Sequence, residues 1–233
     1  MFKPVVTPVA LVVTAVPSLL QFALPWLEPA LRRDPAAIRA GEWWRLITAL
    51  VVQDGGPYGT LTNLAFLAVL GYVAERAIGP GRWLVLYASG AVAGELSGLL
   101  YGQAGAGNSI ALCGLAGGLA VLTWRGQTDD RLGAALGAFY AALMAIPAGV
   151  TAGGGSLGVA GLVVIVVVAA LAFQLVLQRG RLPRWVFPAV TGVAGAGLSV
   201  MSDLHGPALL AGMIAGWILI AVSRSTSTPT SSA

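Results

Sequence analysis

The sequence has little charge, one histidine and one cysteine. Charged residues make up 9% of its 233 positions, whereas soluble globular domains carry about a quarter. An ordinary soluble fold is therefore excluded. Cys113 has no second cysteine with which to form an internal disulfide. One histidine and one cysteine are also too few ligands for a typical zinc site, so we expect no metal and no cofactor.

The chain is rich in long hydrophobic segments. Hydrophobic residues form 57% of it, and the mean hydropathy is +0.84. A helix needs about 20 apolar residues to cross the hydrocarbon core of a bilayer, and the sequence contains eight runs of roughly that length. We therefore predict an all-α, polytopic membrane helical bundle with spans at 5–27, 60–78, 82–101, 108–124, 132–150, 157–177, 184–201 and 204–222.

The basic residues predict how these spans are oriented. Lys and Arg concentrate in cytoplasmic loops, and a cytoplasmic N-terminus places nine of the thirteen on that side: Lys3, Arg76, Arg82, Arg125, Arg131, Arg179, Arg181, Arg184 and Arg224. Both termini are then cytoplasmic. The net charge of +4 reports this topology, and we expect the lipid bilayer, not nucleic acid, as a partner.

The predicted domain organisation is simple. Residues 1–224 form one transmembrane domain, and the polar tail at 225–233 is too short and too polar to fold. The first loop, about 28–58, contains Trp43, Trp44 and Arg45 beside a short apolar run. Tryptophan is favoured at the level of the lipid headgroups, so we expect an interfacial element there.

Several motifs follow one another in a recognisable order. Gly41-Glu42-Trp43-Trp44-Arg45 lies in the first loop, Asn63 begins the second span, Glu75-Arg76 ends it, Gly114-Leu115-Ala116-Gly117 lies in the fourth, and His205 begins the last. Together they resemble the rhomboid family of intramembrane serine proteases. The resemblance implies a six-helix core with about two additional helices. It also implies that the partners are transmembrane segments of other proteins.

The resemblance also implies a catalytic site. The family's serine nucleophile lies in a Gly-x-Ser-Gly motif on the fourth helix, which we map to Ala116, and its general base is a histidine on the last helix, here His205. Asn63 matches the family's oxyanion asparagine, while Gly59 stands where the family has a second oxyanion donor, a histidine. With both Ser and His absent, the expectation is a pseudoprotease that binds transmembrane helices without cleaving them.

The packing of the last helix is also predicted. Ala208, Gly212 and Gly216 recur on one face after His205. Small residues let membrane helices approach closely. This face is therefore expected to pack against the fourth span, near Gly114 and Gly117.

Alternatives remain at the sequence level. Cys113 and Ser109 lie one and two turns before Ala116 on a similar face and are candidates for a substitute nucleophile. To pair with His205, either would need His205 shifted by about 4 Å or more along the helix axis. An active protease, or one inactivated by an engineered Ser-to-Ala change, is the second reading. A small transporter or channel is the third, because Glu95 is the one carboxylate deep within a span.

Overall fold

The protein is a bundle of α-helices, and its computed structural model describes residues 2–153 and 183–225, with side chains at 2–145 and 183–225. Within these ranges the helices are α1 (Val6–Leu20), α2 (Leu27–Leu31), α3 (Pro35–Arg39), α4 (Arg45–Thr48), α5 (Gly56–Ile78), α6 (Pro80–Leu100), α7 (Ser109–Trp124), α8 (Arg131–Gly153), α9 (Val186–Val200) and α10 (His205–Ser225).

The predicted membrane bundle is confirmed. Seven of the eight predicted spans coincide with α1 and α5 to α10, whereas 157–177 and the tail from 226 onward lie outside the described residues. Three helices, α5, α6 and α10, are each long and apolar enough to cross a membrane, and α1, α7, α9 and the part of α8 up to Ala145 are shorter apolar helices. The total number of spans and the sides of the termini remain predictions.

Helix α7 is the centre of the bundle. Every residue from Ile110 to Thr123 is buried, and the helix contacts α5, α6, α8, α9 and α10. Glycine makes this density possible. A Cβ added at Gly212 of α10 would lie 2.7 Å from Gly114 Cα, and one at Gly90 of α6 would lie 2.6 Å from the same atom. Real Cβ atoms do not approach so closely, so these helices touch through their backbones.

Helices α7 and α10 pack in parallel, and this packing determines which of their residues lie at the same level along the helix axes. Gly212 faces Gly114, and one turn further Gly216 faces Gly118. The expected approach of the small-residue face of α10 to α7 is therefore present. Because both pairs advance together along the two helices, the N-terminal ends of α7 and α10 lie at the same level.

Glu75 ties the first helix to the bundle. Its carboxylate accepts hydrogen bonds from the backbone N–H groups of Val5, Val6 and Thr7 at 2.8, 2.8 and 2.7 Å. The first N–H groups of a helix have no intrahelical acceptor, so this buried carboxylate caps α1 from α5. Phe2 N–H also donates to the Arg76 carbonyl. Glu75-Arg76 therefore fixes where α1 begins.

The first loop folds into three short helices. Asp34 caps α3 by accepting from the N–H groups of Ala36 and Ala37, and these hydrogen bonds lower the pKa of its carboxyl. Arg45 pairs with Glu42 at 2.6 Å and donates to the carbonyls of Pro29 and Arg32. Trp43 and Trp44 are more than half exposed, and their location at the membrane interface stays a prediction.

Candidate active site

Ser109 and His205 meet at one end of the bundle. Ser109 is the first residue of α7 and His205 the first of α10. The Ser109 Oγ lies 2.8 Å from His205 Nε2, which is within the range of a hydroxyl–imidazole hydrogen bond. Since His205 is the one histidine of the chain, this is the hydroxyl–imidazole pair that a serine hydrolase mechanism needs.

Asp203 engages the other nitrogen of the same ring. Its Oδ1 lies 2.7 Å from His205 Nδ1 and also accepts the backbone N–H of His205 at 2.9 Å. Asp203 thus caps the last helix and also binds the imidazole. Burial by itself raises the pKa of the Asp203 carboxyl, but the hydrogen bonds and charge of His205 outweigh this and hold the pKa below its usual value.

The expected nucleophile position, Ala116, lies further along α7 than the contact between Ser109 and His205. Ala116 follows Ser109 by seven residues, which is about 10 Å along a helix axis. It is fully buried, and a Cβ added at Gly137 of α8 would lie 3.0 Å from its Cα. On α10, the residues level with this part of α7 are near Gly212, two turns beyond His205.

The sequence also contains a motif that indicates Ser109 as a nucleophile. Gly107-Asn108-Ser109 has the Gly-x-Ser spacing of the family motif, with Ile110 in place of the final glycine. We mapped the motif instead to Gly114 and Gly117, but these glycines serve packing. A Cβ at Gly117 would collide with the Leu209 carbonyl oxygen of α10. No shift of His205 is needed to reach Ser109.

Asn63 lines the same space as the Ser109 hydroxyl. A Cβ added at Gly107 would lie 3.4 Å from Asn63 Nδ2 and 3.6 Å from Ser109 Oγ. Gly107 has φ +144°, a conformation that favours glycine. The backbone before α7 therefore approaches both groups closely, and the role of Asn63 as an oxyanion donor stays a prediction.

The orientation of the Asn63 amide is fixed by two partners. Tyr140 of α8 donates from its hydroxyl to Asn63 Oδ1 at 3.2 Å, and Asn63 Nδ2 donates to Gln53 Oε1 at 2.8 Å. An amide nitrogen carries two protons, so one remains for a ligand after the bond to Gln53. Neither Tyr140 nor Gln53 was singled out from the sequence.

Gln53 links the first loop to the start of α7. Its Nε2 donates to Asn108 Oδ1 at 3.1 Å and to Ser18 Oγ at 3.3 Å. Its backbone exchanges two hydrogen bonds with the side-chain amide of Gln21. These contacts come from α1, the first loop and α7, so the site is held from several elements.

Gly59 leaves one side of the site open. It lies in the first turn of α5, one turn before Asn63, and a Cβ added there would meet nothing within 4 Å. The position that the resemblance gives to a second oxyanion donor therefore contributes no side chain.

Glu95 is engaged in a buried ion pair. Its Oε2 lies 3.0 Å from Arg33 Nη1, and both side chains are almost fully buried. Arg33 Nε also donates to the Gln103 carbonyl, and Gln103 Nε2 donates to the Ser202 carbonyl. The pair therefore braces the first loop against α6, the loop before α7 and the turn that carries Asp203.

Comparison with known proteins bears on the central part of the chain. Residues 40–146 match the family model described as the Rhomboid domain. This range includes Trp44, Asn63 and Ser109 and ends before Asp203 and His205.

Two relatives come from Bacillus subtilis (strain 168). The chain is 33% identical over 84 residues to the rhomboid protease GluP and 32% identical over 82 residues to YdcA, a rhomboid protein of the same organism. These alignments take in 35% and 33% of the chain, but only 16% of GluP and 41% of YdcA. The chain thus spans less than half the length of either relative. No solved structure matches the chain.

Proposed function

The chain belongs to the rhomboid family, and from this premise we propose that it is an intramembrane serine protease with Ser109 as nucleophile and His205 as general base. The observation that carries the proposal is the 2.8 Å contact between Ser109 Oγ and His205 Nε2. The substrates are transmembrane segments of other membrane proteins, and the enzyme acts from a bacterial plasma membrane.

The two residues suffice for acyl transfer. His205 Nε2 takes the hydroxyl proton as Ser109 Oγ attacks the carbonyl carbon of the scissile peptide bond. When the tetrahedral intermediate collapses, His205 gives that proton to the leaving amine nitrogen, and an ester to Ser109 remains. Water, deprotonated by His205, then attacks the ester carbon. As the ester C–O bond breaks, His205 returns that proton to Ser109 Oγ and the new carboxyl terminus is released.

Asn63 is the proposed donor to the negative oxygen of the tetrahedral intermediate. Its Nδ2 lies near Ser109 Oγ across Gly107, and its amide is held by Tyr140 and Gln53. The N-terminus of α7 adds unpaired backbone N–H groups on the same side. A donor aimed at the oxyanion in advance contributes about 10²–10³-fold to the rate.

The case for an inactive member loses its main support. That expectation depended on a methyl group at the nucleophile position, and the partner of His205 is Ser109. Gly59 still contributes no donor, which by the same reasoning slows the enzyme by about 10²-fold without removing its nucleophile. The carboxylate of Glu95 is paired with Arg33, so the transport hypothesis gains no support.

Cleavage of a model transmembrane substrate in proteoliposomes tests the proposal. We expect Ser109→Ala and His205→Ala each to abolish cleavage, because loss of a hydrolase nucleophile or base costs on the order of 10⁶-fold in turnover. Ser97→Ala, which removes a buried hydroxyl from α6, is the matched control and should retain activity.

The Ala116→Ser substitution distinguishes position 109 from position 116 as the site of the nucleophile. On the proposed assignment it creates no new activity in the Ser109→Ala background, because position 116 lies two turns below His205. Cleavage that survives Ser109→Ala, or that Ala116→Ser restores, would refute the assignment. Substrate that binds the wild-type protein and is never cleaved would indicate a pseudoprotease.

A further inference from the structure

We propose that Asp203 is a positioning residue for His205, so that the site works as a Ser109–His205–Asp203 triad and not as an isolated Ser–His pair. This inference rests on the proposed function. It is carried by the geometry of the ring: Nε2 lies 2.8 Å from Ser109 Oγ and Nδ1 lies 2.7 Å from Asp203 Oδ1.

The carboxylate selects one tautomer of the imidazole. A neutral imidazole has one N–H group, and an ionised carboxylate can only accept. With Asp203 against Nδ1, the proton resides on Nδ1 and the lone pair of Nε2 faces the Ser109 hydroxyl. This is the tautomer that a base for Ser109 requires. The negative charge also stabilises the imidazolium that forms when His205 accepts the proton.

The turn that carries Asp203 is held in place from three directions. The Asp203 N–H donates to the Leu198 carbonyl of α9, and the Gly206 N–H donates to the Asp203 carbonyl. Gln103 binds the carbonyl of the preceding residue, Ser202. Ser202 has φ +56°, which is uncommon for a residue other than glycine. The carboxylate is therefore directed at His205 by a backbone with little freedom.

Helix capping is the competing explanation for Asp203. The same Oδ1 accepts the backbone N–H of His205 at 2.9 Å, and a cap alone would account for an aspartate there. Asparagine separates the two roles, because it caps helices about as well as aspartate does but has no negative charge, so its oxygen is a weaker acceptor for the Nδ1–H group.

Few other ionisable groups near His205 could produce the change in the pH profile that is expected from Asp203. His205 is the one histidine of the chain. The ionisable groups on the surrounding helices include Tyr87 on α6, Cys113 on α7 and Tyr140 on α8, and the buried Arg33–Glu95 pair lies beside α6. The sequence of α9 contains no ionisable side chain.

The first experiment measures kcat/KM against pH for the wild type and for Asp203→Asn. We expect a fall of about 10²-fold at neutral pH. We also expect the pH dependence of kcat/KM to change, because the charge that stabilises the imidazolium is gone. The thermal midpoint should be preserved. Asp34→Asn, a capping aspartate on α3 in the first loop, is the matched control and should change neither readout.

The second experiment needs no enzymatic activity. Nitrogen-15 NMR of the one histidine in detergent micelles reports which ring nitrogen carries the proton. We expect the Nδ1–H tautomer in the wild type and a weaker preference for it in Asp203→Asn.

The outcomes keep the two proposals apart. An active wild type whose Asp203→Asn variant keeps its activity within twofold and its pH profile unchanged would overturn the triad and leave the protease intact. An inactive wild type with the Nδ1–H tautomer would refute the proposed function while the geometry of Asp203 and His205 stands. An Nε2–H tautomer in the wild type would overturn the triad in either case.

Discussion

Ser109 and His205 are each the first residue of a helix, which explains how residues 96 positions apart in sequence meet. The backbone N–H groups at a helix start are unpaired, and the helix dipole is positive there. In the proposed mechanism, the negative oxygen that forms beside Ser109 would be stabilised by α7 itself. His205 approaches from the corresponding end of α10, with Asp203 two residues before the start of that helix.

Gly59→His tests whether the missing oxyanion donor limits the enzyme. A Cβ at this position meets nothing within 4 Å, so a larger side chain has room to enter. We expect kcat to rise by about tenfold or more, since a well-placed donor contributes about 10²–10³-fold. Turnover of the model substrate in proteoliposomes is the measurement.

Gly59→Leu controls for size without a donor. It should leave kcat near the wild-type value or lower it by crowding the substrate. Equal gains from His and Leu would mean that filled space, and not hydrogen bonding, matters at position 59. A histidine variant that folds and gains nothing would place the second donor elsewhere.

Close contact between backbones determines how the helices of this bundle pack against one another. Hydrophobic burial gives little drive between helices inside a bilayer, so packing and close approach decide which faces meet. The glycines at 90, 114 and 212 bring α6, α7 and α10 together. The contact between Gly114 and Gly212 also keeps Ser109 and His205 at the same level, because these two residues begin the helices that the glycines hold together.

Gly212→Ala should loosen that contact. Its added Cβ would lie 2.7 Å from Gly114 Cα, and overpacking of this kind costs about 1–3 kcal/mol. We expect a lower thermal midpoint in detergent and a loss of cleavage activity, because separation of α7 and α10 parts Ser109 from His205.

Gly197→Ala is the matched control within another apolar helix, α9. An added Cβ there meets nothing within 4 Å, and alanine is favoured over glycine in a helix by about 1 kcal/mol. Its midpoint should stay level or rise. If the two variants behaved alike, glycine would matter here through backbone freedom and not through contact.

Sequence patterns predicted the helices well and the site less well, for a physical reason. Hydropathy marks apolar segments directly, and small-residue spacing predicted the face that α10 turns to α7. The axial offset between α7 and α10 is a tertiary property that no local pattern contains. We placed His205 level with Ala116, whereas the starts of the two predicted spans, 108 and 204, already aligned Ser109 with His205.

The whole molecule assembles its site from distant parts of the chain. Gln53 comes from the first loop, Asn63 from α5, Tyr140 from α8, and the Ser109–His205 pair from the starts of α7 and α10. The brace from Arg33 to Glu95 and Gln103 ties the first loop to this end of the bundle. Tyr140 and Gln53 could not be predicted, because their roles depend on contacts between elements and not on any motif.

Mapping a covalent fluorophosphonate adduct tests the central claim most directly. The reagent reacts with an activated serine, so the wild-type protein in detergent should carry one adduct, on the peptide that contains Ser109. His205→Ala should suppress labelling while Ser97→Ala retains it. An adduct on another serine, or none on a folded wild-type protein, would contradict the assignment of Ser109 as the nucleophile.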